Sequence, residues 1–161
     1  MSRLPALGPR GEGWLVSQLA LFAAIFAAGL LFPGVTVGFA GAAIVLVGAA
    51  IVVAGGALAV LGTRSLRSAG SLTALPHPRP DGGLVESGVY ARVRHPIYGG
   101  IVLGAVGWSL ARTSLLAIAL TAVLFVFFVL KSSREEAWLV DRHPGYAAYQ
   151  RRTKRLIPGL F

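Results

Sequence analysis

The 161-residue chain is 55% hydrophobic and only 13% charged, with a mean hydropathy of +0.72, too apolar for an ordinary soluble domain, which carries about 25% charged residues. Its net charge of +9 sits in a few stretches that flank apolar runs instead of interleaving with exposed aromatics, a pattern that suits a phosphate-rich membrane surface and argues against nucleic acid. There is no cysteine, which excludes disulfides, thiolate metal sites and a cysteine nucleophile.

The first predicted element is the apolar run Trp14 to Phe32, interrupted only by Ser17 and Gln18. Its length fits a bilayer-crossing helix, which needs about 20 residues. Arg3 and Arg10 ahead of it give a passing likeness to a signal peptide, but the apolar core is too long, so it is read as a membrane helix. Phe32-Pro33-Gly34 is a turn signal, and Val35 to Leu61 is a second apolar run, with no charged residue anywhere between Leu15 and Gly62. Gly34, Gly41, Gly48, Gly55 and Gly62 recur every seven residues along it, making a stripe that a neighbouring backbone can approach. Gly100, Gly104 and Gly107 read the same way on the third run.

From Thr63 to Val89 the composition turns to Arg, Ser, Pro and Gly, a connector in which "LPHPRPDGG" forbids regular helix. Ile97 to Ala111 and Ser114 to Leu130 then form a hairpin of shorter spans around Arg112-Thr113. Fourteen of the fifteen Lys and Arg residues fall in the N-terminal tail, the 63–96 loop or the tail after Leu130. Four spans put those three segments on one face, the cytoplasmic one by the positive-inside rule. The expectation is an all-α integral membrane protein of about four transmembrane helices, in a plasma or inner membrane, with both termini cytoplasmic. It is one membrane domain over 1–161, with an N-terminal helical hairpin at 14–62. A cytoplasmic catalytic pocket would form from the 63–96 loop, the last helical hairpin and the C-terminal tail.

Two stretches carry chemistry. In "RVRHPIYGG" (92–100), Pro96 suits the first turn of a helix and His95 its cap, so the free N–H groups of that helix start would favour an anion, with Tyr98 beside them. In "KSSREEAWL" (131–139), Lys131 and Glu135 share a face of a continuing helix, as do Ser132 and Glu136. If the hairpin folds back, Glu135 comes down near His95. His95 has no paired His or Cys at ligand spacing, so no metal is expected. "RHPGY" at 142–146 is read as a surface turn after the last helix.

Together, "GVYARVRHPIYGG", "REEAWL" and "HPGYAAYQRRTKRLIP" resemble the catalytic half of the isoprenylcysteine carboxyl methyltransferases and their relatives the phospholipid methyltransferases. Gly88 and Tyr90, Arg94 to Tyr98, Glu135, Glu136 and Leu139, Tyr146 and Tyr149, and Pro158 fill the family pattern in order, over about residues 82–160. The resemblance implies an integral-membrane enzyme that uses S-adenosylmethionine without a Rossmann domain. It assigns the cofactor to Gly82, Gly83, Leu84, Val85, Tyr90, His95, Pro96, Ile97, Tyr98 and Glu135, and catalysis to Glu135, His95 and Arg94. Lys131, where the family has Arg, and nearby Arg134 are implied to hold the substrate. The acceptor is then a lipophilic molecule meeting the protein in the bilayer, with carboxyl O-methylation of an isoprenylcysteine-like substrate favoured. The alternatives are phospholipid or other amine N-methylation, a non-catalytic protein binding anionic lipid, and a membrane reductase similar to sterol reductases that uses a nicotinamide cofactor.

Overall fold

The computed structural model describes residues 5–35, 38–159 and 161; Arg3, positions 36–37 of the second apolar run and residue 160 lie outside them. The described residues form five α-helices: α1 (Glu12–Leu31), α2 (Gly38–Ser68), α3 (Pro96–Ala111), α4 (Leu115–Arg142) and α5 (Tyr146–Arg152). A 3₁₀ turn at Gly88–Ala91 precedes α3, and no strand is formed among these residues. Helices α1, α2 and α4 are long and apolar enough to cross a membrane, and α3, with 16 residues, is a shorter apolar helix. At about 1.5 Å per residue, α3 is roughly 24 Å long, just under the roughly 30 Å hydrocarbon layer.

Helix α2 is longer than its apolar run. Residues 63–68, expected in the connector, continue the helix to Ser68. Ser65 and Ser68 donate back to the carbonyls of Leu61 and Arg64, so their hydroxyls need no partner outside the helix. The stop comes at Gly70, in the left-handed region at φ +67°, where Gly70 N donates to Arg67 O and Ser71 N to Leu66 O. That paired closure is the Schellman end of a helix. The connector therefore begins at residue 69.

Helix α2 packs along α3, α1 packs on α4, and α3 against α4 joins the two pairs. In α2 the buried residues are Gly41, Gly48, Gly55 and Gly62 alone, so the heptad stripe is the face turned to α3. The approach is reciprocal: a Cβ on Gly55 would lie 2.5 Å from Gly100 O, and one on Gly107 2.5 Å from Gly48 O. Gly104 lends its backbone to the seam but needs no glycine, since a Cβ there would meet nothing within 4 Å. Large apolar side chains such as Phe39, Val53 and Leu115 point outward from the bundle, as a lipid-facing surface requires. The core lies between α1, α3 and α4, around Ile25, Val102, Leu124 and Phe128.

At the turn between α3 and α4, Ser114 caps α4 by accepting from Ala117 N. Arg112 donates from Nε to Gly29 O at 2.9 Å, closing the C-terminal end of α1 with a cation. At the opposite end the C-terminal tail folds back on the start of α3. Arg94 N and His95 N donate to Lys154 O and Arg155 O, and Lys154 N donates to Arg92 O. The tail thereby fixes the backbone of "RVRHP" before α3 begins.

Candidate active site

Pro96 opens α3 and His95 is its N-cap residue, with a buried ring. One turn along, the Tyr98 ring lies parallel to the His95 ring, with centroids 5.4 Å apart, and stacks on Phe128 of α4 at 4.6 Å. Tyr98 Oη donates to Glu135 Oε2 at 2.7 Å, and His95 Nδ1 lies 3.9 Å from the same oxygen. The hairpin therefore does bring Glu135 down to the His95 end of α3.

The two adjacent glutamates do different things because successive helix residues point about 100° apart. Glu136 is buried and turned to the tail. Its Oε1 accepts from Arg94 Nε at 2.6 Å and sits 3.1 Å from His95 Nε2, while its Oε2 accepts from Gln150 Nε2 at 3.0 Å and meets Arg155 at 3.4 Å. Arg94 Nη1 donates to the carbonyls of Gln150 and Thr153. Glu135 has no guanidinium partner among the described residues and turns to the other side, where it lines a cavity of about 430 Å³.

That cavity lies inside the range of about 300–1,000 Å³ common for small-molecule sites. The connector forms one wall through Gly82, Gly83, Leu84 and Val85. Tyr90 of the 3₁₀ turn, Arg94, His95, Ile97 and Tyr98 form another, and Lys131 and Glu135 of α4 close it. Two positions expected at the site are not on its lining. Pro96 is fully buried behind it, and Arg134 lies with its guanidinium 4.2 Å over the Trp138 ring. Arg134 is next to Glu135 and so points about 100° away from it around the helix.

Several lining residues were given no role by the sequence. Gln18 of α1 accepts from Lys131 Nζ at 2.6 Å, and its signal was a lone amide in an apolar run. Tyr146, expected in a surface turn, opens α5 and is 1% exposed; only residues 143–145 form the turn. Tyr149 Oη donates to Tyr90 O at 2.7 Å, tying α5 to the 3₁₀ turn. Burial raises the phenol of Tyr90, with the Glu135 charge adding to it, and burial raises those of Tyr146 and Tyr149. All three stay protonated at neutral pH, so Tyr90 offers the cavity a neutral hydroxyl.

The geometry thus combines an apolar chamber, one free carboxylate, stacked aromatic rings and a buried ammonium at the end of membrane-length helices. Residues 34–144 match the phospholipid methyltransferase family, well over half of the chain. The chain belongs to that family. Its methyltransferases take their methyl group from S-adenosylmethionine, and the apolar helices here make an integral membrane protein. The cobalt-zinc-cadmium resistance protein CzcN of Cupriavidus metallidurans is 35% identical over 83 residues, 51% of this chain and 38% of the relative. The chain thus spans well under half of that curated relative. No solved structure matches significantly.

Proposed function

We propose that the chain is an S-adenosylmethionine-dependent methyltransferase that methylates a lipophilic acceptor at the membrane surface, with a carboxylate of the isoprenylcysteine kind as the receiving group. The observation that carries this reading is the free Glu135 carboxylate beside Tyr98 and His95, in a cavity walled on one side by residues 82–85. A zwitterionic, cationic cofactor fits that donor set. Glu135 would face its positive charge, the backbone of residues 82–85 and Tyr90 its polar edges, and Ile97 and Tyr98 its flat apolar part. Pro96 acts from behind, by starting the helix that carries Tyr98.

Bound S-adenosylmethionine would supply a methyl group already activated on a sulfonium. The protein's task is then to align acceptor with donor and exclude water. A carboxylate acceptor is already an anionic nucleophile, so this chain would need to supply no base for its transfer. Lys131 is the cation placed to hold such a carboxylate. Arg94 is a positioning residue in this scheme, since its Nε and Nη1 are held by Glu136 and the carbonyls of Gln150 and Thr153. With α3 as a fourth span, both termini and the cavity fall on the cytoplasmic side, where the water-soluble cofactor is found.

The test is calorimetric titration of the detergent-solubilised chain with S-adenosylhomocysteine, with NADPH as control. Saturable binding of the first and none of the second is expected. Absence of S-adenosylhomocysteine binding by folded protein overturns the reading.

A further inference from the structure

The family match begins at residue 34, after α1, yet α1 reaches the cavity through one side chain. Gln18 is 9% exposed and Lys131 is 1% exposed. Lys131 Nζ donates to Gln18 Oε1 at 2.6 Å and more weakly to Ala74 O at 3.4 Å. An ammonium only donates, so the amide atom facing it is necessarily the carbonyl oxygen. Gln18 Nε2 is therefore turned elsewhere, and it donates no hydrogen bond to the described residues. Lys131 has no carboxylate partner there either. A buried ammonium with no carboxylate in contact, only the Glu135 charge one helical turn away, is incompletely compensated, so this pair can take an anion.

We propose that Gln18 and Lys131 together form a two-donor site for the carboxylate of the lipophilic acceptor, with Gln18 as the residue that sets its selectivity. The inference rests on the methyltransferase reading above. A lysine alone is a point charge, whereas a planar carboxylate is held best by two donors side by side, as a guanidinium offers. The Gln18 carbonyl anchors the ammonium, and its NH₂ group supplies the second donor that an arginine would have carried. S-adenosylmethionine also bears a carboxylate, but position favours the acceptor. Lys131 lies one helical turn, about 6 Å, deeper into the apolar part of α4 than Glu135, beneath the Tyr98 ring at 5.1 Å. Gln18 comes from within a membrane-length helix. The same pair favours turnover, because the methyl ester formed has no charge to hold.

The experiment titrates the full chain, in detergent with S-adenosylhomocysteine present, with N-acetyl-S-farnesylcysteine and with its methyl ester. Wild-type protein should prefer the acid by about tenfold or more, the scale of one charge-assisted hydrogen bond. Gln18→Glu places a carboxylate against Lys131 and should abolish the preference. Gln18→Leu should reduce it several-fold. Both variants should keep their affinity for the ester and for S-adenosylhomocysteine, which also reports that they are folded. An unchanged preference in the variants, or none in wild-type protein, overturns the proposal. A parallel fall in S-adenosylhomocysteine affinity assigns the pair to the donor's carboxylate and overturns it as well. Failure of wild-type protein to bind S-adenosylhomocysteine at all removes the underlying methyltransferase reading instead.

Discussion

Helices α2 and α3 meet backbone to backbone, with glycine facing glycine; α4 and the C-terminal tail meet through charges, with Glu136 gathering Arg94, His95, Gln150 and Arg155. The difference follows from the solvent. In lipid, no hydrophobic effect drives apolar helices together, so close van der Waals approach must do so, and only missing side chains permit it. At the membrane surface a buried polar network is tolerable when every member is paired, and it fixes a single arrangement. The seam sets distance, and the network sets direction. The cavity lies where the two meet, with α3 supplying glycines to one and His95 to the other.

The seam should break most severely. In Gly55→Leu the first added carbon alone would sit 2.5 Å from Gly100 O and 2.7 Å from Gly104 N, and neither backbone atom can yield. A loss of about 5 kcal/mol or more is expected, seen as little folded protein on size-exclusion chromatography in detergent. Gly56→Leu is the matched control, since a Cβ there meets nothing within 4 Å and the leucine would face lipid. Equal damage from both variants would show that the seam does not govern the site, since leucine is the better helix former at either position.

Glu136→Ala should come next, at about 3–5 kcal/mol in thermal or denaturant unfolding, because it leaves Arg94 buried without its partner. The neighbouring Glu135→Gln keeps the shape and a hydrogen-bond acceptor for Tyr98, so its cost to the fold should stay under about 1 kcal/mol. Its effect should fall on S-adenosylhomocysteine binding, which is expected to weaken by about tenfold or more on loss of the charge. If the two variants instead lost stability alike, the division of labour between adjacent glutamates would fail.

The sequence carried the seam and the site unequally. A heptad of glycines is visible without coordinates, since its period is that of a helix face, and Pro96 marks a helix start by its own chemistry. The fold-back of the hairpin follows from its short turn, which is why the sequence alone brings Glu135 near His95. The end of α2 was misread from composition: charge begins at Arg64, but helices stop where a left-handed residue closes them, here at Gly70. The pairing of residues 92–95 with the tail could not be read at all, because its hydrogen bonds are made by backbone and carry no side-chain signature. The separate tasks of Glu135 and Glu136 were hidden for another reason. Their side chains are identical, and only the surroundings distinguish them.

Arg112→Ala should have the smallest effect and says most about α1. That helix is held at one end by Arg112 on Gly29 O and near the other by Gln18 against Lys131. Removing a charged donor from a helix C-terminal carbonyl, together with its contact on the Trp108 ring, should cost about 1–2 kcal/mol in thermal unfolding. S-adenosylhomocysteine affinity should not change, because Arg112 lies at the opposite end of α3 from His95, Tyr98 and the cavity. A simultaneous loss of acid-over-ester preference would mean that α1 shifts as a rigid rod and withdraws Gln18 from the cavity. Retention of that preference would mean that the remaining contacts, among them Gln18 on Lys131, Ser114 Oγ on Ala28 O and the core packing of Ile25 and Ala28, hold α1 in place without Arg112. Either result separates the anchoring of α1 from the network built on Glu136, to which α1 contributes no side chain.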